Sequence, residues 1–350
     1  MYEKYFGLSG KPFRLAPDPR FFYASRSHKR AMAYLLYGVK QGEGFIVITG
    51  DVGTGKTTLL NNLLRVLVKE DVTIAQVVTS QLEAEDLLQV VAAAYGLPFE
   101  NVSKGVMLRN LEEYLRACYQ EGRRALLVVD EAQNLPGRSV EELRMLSNFQ
   151  IDGHMLLQSF LLGQKEFRVT MRSRGFEQLR QRVIAAYHLK PLDEIETRHY
   201  IEHRLHTVGW KNDPSFDADA FTVIYRNSRG IPRIINSFCD RLLLLAHLED
   251  RHHIDVATAE GVESDLAEEE GDLDEALGLD DPGVVRLNPA ANLRPGSSSR
   301  ESSSRDQGQS DERLTAVEDS VSGLANSLRE EMSMLRRALL ERHDSTKRKP

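Results

Sequence analysis

The chain has 350 residues with an apolar share of 41%, enough for one large or two modest packed domains plus a tail. Its formal charge of -7 sits wholly in residues 265–350, which hold 19 acidic and 12 basic side chains, so residues 1–264 are formally neutral. A neutral body excludes whole-domain electrostatic attraction to nucleic acid and leaves only local patches.

The opening stretch, MYEKYFGLSGKPF, lacks the continuous apolar run of a signal peptide. Phe45–Thr49 is an apolar, β-rich run and reads as a buried strand ending at Gly50. Lys56 to about Glu70 follows, with leucines at 59, 60, 63, 64 and 67 on helical spacing. Val72–Thr79 is a second strand, and helical periods return at Ala84–Tyr95 and Met107–Gln120. Ala125–Val129 is a third, fully apolar strand ending at Asp130; Met155–Leu162 is a fourth and Ala186–Leu189 a short fifth. Strands alternating with helices predict an α/β fold, a parallel sheet in a three-layer αβα sandwich. Ligands on such sheets sit at the carboxyl ends of the strands, where Gly50 and Asp130 both fall.

After Pro191 the pattern becomes all-helical, with helices expected at Glu194–Val208, Ala218–Arg226, Pro232–His247 and Val256–Glu269. This predicts a small all-α domain over 193–264 beside a sheet domain over 45–192. Residues 265–281 then carry nine acidic side chains and no basic one, and 289–310 are rich in Ser, Pro, Gly and Asn. Such composition marks 265–310 as a solvated, disordered linker. Beyond it, Leu314, Val317, Val321, Leu324, Leu328, Leu335 and Ala338 fall on 3–4 spacing, interrupted at Glu331. The segment 311–342 is either a flawed coiled coil that joins subunits or a partner, or a lone amphipathic helix.

Cys118 and Cys239 lie far apart without metal-ligand spacing and read as reduced, buried thiols. No run approaches the ~20 apolar residues of a membrane helix. Together these features point to a cytoplasmic protein whose membrane contact is only indirect.

The chemistry concentrates in GDVGTGKT at 50–57, which fits G-x-x-x-x-G-K-[ST] between a predicted strand and helix. Gly53 and Gly55 keep side chains out of the way, so backbone N–H groups can converge on a phosphate. The helix opening at Lys56 adds its N-terminal dipole. The nucleotide-binding set is thus Gly50, Asp51, Val52, Gly53, Thr54, Gly55, Lys56, Thr57 and Thr58. Lys56 supplies a point charge to the β- and γ-phosphates, and Thr57 helps hold Mg²⁺. A chance Gly-rich turn would not carry the whole octet with both flanks correct. In VVDEAQ at 128–133, Asp130 is the second magnesium residue and Glu131 the base that orients the attacking water. A solvated turn is the bland reading, weakened by the buried run that precedes the pair. Neither a D-x-x-G after that strand nor an N-K-x-D for guanine is present, so the expected cofactors are ATP and Mg²⁺.

With these motifs the sequence resembles AAA+ ATPases, and within them the ExeA/GspA secretion type. It is most similar to the form found in bacterial exosortase (XrtA/PEP-CTERM) exopolysaccharide loci. The resemblance rests on MYEKYFGLSGKPF with PDPRFFYASRSHKRAMAYLLYG, FIVITGDVGTGKTTL, LLVVDEAQNL, LLGQKEF with LRQRVIAAYHLKPLDEIETRHYIEHRL, and GIPRIINSFCDRLLLLA, across about residues 1–264. It implies that residues 1–44 form a family-specific segment packed on the ATPase core. It further implies that Gln164 is sensor 1, that Arg233 is a lid arginine reaching the γ-phosphate in cis, and that Arg182 is an arginine finger reaching a neighbouring subunit. Arg180 competes for that last role. Such a finger makes the working form a homo-oligomer, in the manner of a hexameric ring. Phe21, Phe22 and Tyr23 lie beside the nucleotide in the resemblance, but they read as core aromatics and are not counted as site residues.

Past residue 264 the likeness stops: the secretin-assembly type continues into a membrane span and a wall-binding region, whereas here an acidic stretch follows. The resemblance therefore implies an ATPase serving export or assembly of an envelope polymer or secretion complex, with its partners met through the C-terminal helix. The alternative is a DNA-associated AAA+ ATPase of the transposition or initiator kind, which the neutral body disfavours. A non-hydrolysing nucleotide switch is a third reading, which the complete set Lys56, Asp130 and Glu131 argues against.

Overall fold

Phe45–Gly50 (β1), Val72–Val78 (β2), Arg124–Asp130 (β3), Leu157–Gly163 (β4) and Val183–Leu189 (β5) form one parallel sheet in the order β2-β3-β4-β1-β5. The computed structural model describes residues 1–67, 71–78 and 83–276. The heptad segment 311–342, the linker from 277 onward, and the expected ends of the second strand (Thr79) and first helix (Glu70) lie outside them.

The three inner strands are buried along nearly their whole length, which is why they read as unbroken apolar runs. Alternate side chains feed two cores. Phe45 and Val47 of β1 join one cluster and Ile46 and Ile48 the other, and each such burial stabilises by about 1.5–3 kcal/mol. Arg26–Gln41 (α1) and Lys56–Leu67 (α2) cover the face of Ile46 and Ile48. Ala84–Ala94 (α3), Lys104–Gln120 (α4) and Gly137–Leu146 (α5) cover the opposite face, joined by Lys165–Arg172 (α6) after β4. The edge strands β2 and β5 mix buried and exposed positions, so their limits are poorly marked in the sequence. The fourth strand starts later than the sequence suggests, because Met155 instead pairs with Gln150 in a two-residue hairpin.

Among the described residues four helices follow the sheet: Glu194–Thr207 (α7), Ala218–Ser228 (α8), Pro232–Leu248 (α9) and Val256–Ala276 (α10). Asp193 caps α7 by accepting from Glu196 N at 2.8 Å, and Pro232 opens α9 at a position that needs no N–H. The helix α10 runs to Ala276, eleven residues beyond Asp265, where a disordered linker was expected to start. Leu266 packs on the helical core and Glu269 pairs with Arg241 at 2.6 Å, so one side of this acidic stretch is anchored.

The N-terminal segment differs from expectation. Within it α1 and Phe22 pack on the sheet's core, whereas Tyr2, Phe6, Leu8, Phe13 and Phe21 are buried in the helical domain's own core. Ser9 N donates to Val208 O at 2.9 Å, and both Tyr2 and Lys11 bond Asp240 on α9. The buried Arg204 of α7 donates to the carbonyls of Pro12 (2.6 Å) and Arg14 (3.3 Å) and lies 4.7 Å over the Phe21 ring. Residues 1–21 are thus a strap of the helical domain. Among the described residues no helix is long and apolar enough to cross a membrane.

Sheet and helical domain meet at a tight backbone crossing. Gly230, at φ 71°, approaches Leu192 so closely that a Cβ would stand 1.9 Å from the Leu192 carbonyl oxygen, and Leu192 N donates to Gly230 O at 2.9 Å. Gly230→Ala is expected to destabilise the fold by about 2–4 kcal/mol, adding overpacking to left-handed backbone cost. Gly7→Ala, at φ 65° but with open space around its Cβ, should cost only about 1 kcal/mol. Urea denaturation of the two variants measures the difference, and equal losses would contradict the crossing's importance.

Candidate functional site

Strands β3, β4 and β1 are neighbours, so Asp130, Gly163 and Gly50 finish side by side at the carboxyl edge of the sheet. The loop 51–55 then turns into α2, whose first residue is Lys56. The Lys56 side chain is only 6% exposed, and its Nζ donates to the carbonyls of Gly50 (2.9 Å) and Asp51 (3.1 Å). Burial pulls the ammonium's pKa down, while Glu131, Asp130 and Asp51 oppose that shift. Thr57 Oγ1 donates to Asp130 Oδ2 at 3.0 Å, and the Glu131 backbone N–H donates to Asp130 Oδ1 at 2.9 Å. Burial pushes the Asp130 carboxyl up, against those two hydrogen bonds.

Glu131 adopts φ 55°, ψ 39°, a left-handed conformation that costs a non-glycine residue about 1–2 kcal/mol. The turn folds residue 133 back toward 131. Gln133 Nε2 donates to Glu131 Oε2 at 2.6 Å, and Gln164 Nε2 donates to the same oxygen at 3.2 Å. Gln133 Oε1 in turn accepts from Gln164 N at 2.9 Å.

The loop is held on two sides. Gly53, at φ 80°, receives the helical domain: its carbonyl accepts from Arg233 N at 3.3 Å, and an added Cβ would stand 2.6 Å from Arg233 Cβ. On the other side, an added Cβ on Gly55 would stand 2.9 Å from Nε2 of His28 on α1. Thr54 is buried and donates to Asp51 O at 2.8 Å, while the Asp51 carboxylate faces Lys165 Nζ at 3.8 Å. A cavity of about 350 Å³ opens between loop, strap and helical domain.

Val52, Gly53, Gly55, Lys56, Thr57, Thr58, Glu131 and Arg233 line this cavity. Gly50, Asp51, Thr54, Asp130 and Gln164 stand behind it and hold the lining residues. Arg182 is not brought in. Its carbonyl accepts from Phe45 N, at the other end of β1 about 17 Å from Gly50. Its guanidinium donates to Ser147 Oγ and Asn148 Oδ1. Arg180 is likewise held by the carbonyls of Met171 and Ser173. Both finger candidates are therefore engaged within their own chain.

Sequence reasoning gave no site role to five contributors. Phe22 and Tyr23 line the cavity rather than serving only as core, and Arg204 reaches it from α7. Gln133 was visible in VVDEAQ, but its contact needs the left-handed turn at Glu131. His28, 5% exposed, pairs Nδ1 with Ser25 Oγ at 2.7 Å; the pattern S-x-x-H at a helix start was its one signal. Donor sets elsewhere are thin: among the described residues no group of three metal-ligating side chains forms a cation site.

Comparison with known proteins bears on the fold that carries this site. Residues 39–171 match the family model of the AAA domain. Over 255 residues the chain is 39% identical to general secretion pathway protein A of Aeromonas hydrophila, covering 73% of this chain. The chain spans about half, 46%, of that relative's length. Among solved structures, the Aeropyrum pernix ORC2 protein superposes with a TM-score of 0.53 at 18% identity, covering 69% of this chain and 68% of that one. Cdc6p from Pyrobaculum aerophilum gives 0.53 at 17%, covering 72% and 68%. At such identities these structures speak for the fold alone: a P-loop fold of the AAA+ type.

Burial lowers the His28 pKa to about 4 from its ordinary 6.5, so the folded chain holds this ring neutral. Between those two values the unfolded chain binds the extra proton, so stability must fall as pH drops through that window. Urea denaturation at pH 7 and pH 5 should show His28→Gln losing about 2 kcal/mol less than the parent chain. Equal losses in the two proteins would contradict a buried neutral ring.

Proposed function

We propose that this chain, whose fold is of the P-loop AAA+ type, is an ATPase that hydrolyses Mg·ATP in the cavity between phosphate loop and helical domain to drive or regulate a cell-envelope export or assembly system. The observation that carries the proposal is the convergence on one cavity of the buried Lys56 ammonium, the Thr57–Asp130 pair, Glu131 and Arg233.

Each group has a part that its surroundings suit. The loop N–H groups and Lys56 take the β- and γ-phosphates, with Gly53 and Gly55 leaving room for close approach. The Thr57 hydroxyl and the Asp130 carboxylate are hard oxygen donors 3.0 Å apart, a set that fits Mg²⁺, reached directly or through water. When bound, the ion neutralises charge on the transferred phosphoryl group. Glu131 accepts the proton of the attacking water, with Gln164 sensing the γ-phosphate beside it. Arg233 reaches the same phosphate in cis from the start of α9.

An arginine in trans, Arg182 or Arg180, completes the site in a homo-oligomeric ring. Delivering it requires breaking its present hydrogen bonds, so assembly would release it. Support for an envelope role comes from the likeness to general secretion pathway protein A over 255 residues. Service to an exosortase-linked exopolysaccharide locus, through a partner met by residues 311–342, is the finer form of this proposal. The fold likeness to ORC2 and Cdc6p, below 20% identity, adds no weight to a DNA-bound role.

Lys56→Ala should remove ATP binding, measured by fluorescence of a labelled nucleotide. Glu131→Gln should retain binding while turnover drops by about 10²-fold or more. Wild-type phosphate release from Glu131→Gln would end the base assignment.

A further inference from the structure

We infer that Gln133 is a positioning residue that fixes the Glu131 carboxylate relative to the end of β4; this rests on Glu131 being the base. Its amide makes two bonds of opposite sense. Nε2 donates to Glu131 Oε2 at 2.6 Å, and Oε1 accepts from the backbone N–H of Gln164 at 2.9 Å. A carboxylate requires a donor and an N–H requires an acceptor, so both neighbours dictate the same orientation of the amide.

Only a side chain with a donor and an acceptor on one rigid plane, at this length, spans the two. Glutamate would set two carboxylates against each other, and alanine would leave the Gln164 N–H without this acceptor. Gln164 Nε2 adds its own donation to Glu131 Oε2 at 3.2 Å, which closes a small ring of hydrogen bonds through residues 131, 133 and 164. The ring joins the ends of two adjacent strands. Glu131 leaves β3 in a left-handed turn, whereas Gln164 leaves β4 toward α6. The left-handed turn at Glu131 is the local cause, since it places the residue 133 side chain back over residue 131. Gln133 itself is half-buried and does not line the cavity, so it acts through Glu131 rather than on substrate.

The consequence is a residue that affects the rate and not the affinity. In steady-state ATP hydrolysis by the full chain, Gln133→Ala should lower kcat about 10–100-fold, the scale of a misplaced catalytic group, with KM and nucleotide Kd within twofold. Gln133→Glu should lower kcat at least as far, by removing the donor while keeping the length. Thermal unfolding of both variants should stay near that of the parent, which separates positioning from loss of fold. Glu131→Gln is measured alongside. If it is inactive while Gln133→Ala turns over at the parental rate, the positioning role alone is overturned. If Glu131→Gln is fully active, the base assignment and the positioning role fall together. A drop in kcat matched by an equal rise in KM would also overturn the role, because it would place Gln133 in binding.

Discussion

A buried ammonium is the constraint around which the site is arranged. Lys56, at 6% exposure, would be strongly disfavoured among apolar neighbours, and two loop carbonyls with the facing carboxylates make its burial tolerable. Those partners come from different strands. Gly50 and Asp51 lie at the end of β1, while Asp130 and Glu131 lie at the end of β3, with β4 between them. The charge arrangement therefore depends on three strands ending in register, and the register is held by side chains buried on both faces of the sheet. A slip of one residue would exchange the two cores and part the ammonium from its carboxylates.

The helical domain closes the site through a few backbone approaches rather than a broad apolar face. Gly53 meets Arg233 and Gly230 meets Leu192, each at a distance no other residue type would permit. The strap strengthens that arrangement from the far side. Its aromatic residues lie in the helical core, yet residues 14–23 border the cavity, so the same segment belongs to the helical domain by burial and to the site by position. Arg204 makes this possible, since its guanidinium satisfies carbonyls of the strap that crosses the domain.

The parts legible in the sequence are those in which local pattern and tertiary role coincide. The strands β1 and β3 are apolar on both faces, and the octet at 50–57 needs its glycines wherever it occurs, so both were readable without the fold. Helix α1 was legible too, though unread: Ala31, Leu35 and Val39 recur every four residues behind the capping Ser25. The strap aromatics carry no period at all, and nothing in their order says which core they enter. The acidic stretch after 264 looked unable to fold, but one buried-side leucine and one ion pair suffice to extend α10. The arginine candidates came from resemblance alone, and motif matching could not reveal that Ser147 and Asn148 already hold one of them.

Two acids adjacent in sequence end in unlike surroundings, and the backbone between them is the reason. Asp130 completes a strand, so its side chain stays buried, where a hydroxyl and a backbone N–H hold it. Glu131 takes the left-handed turn and so leaves the strand direction, reaching the cavity wall with two amides on one oxygen. Had residue 131 continued as strand, alternation would have sent its side chain to the opposite face of the sheet. Local strain of about 1–2 kcal/mol thus turns a sequence dipeptide into two separate groups on one cavity, one suited to a cation and one to a water.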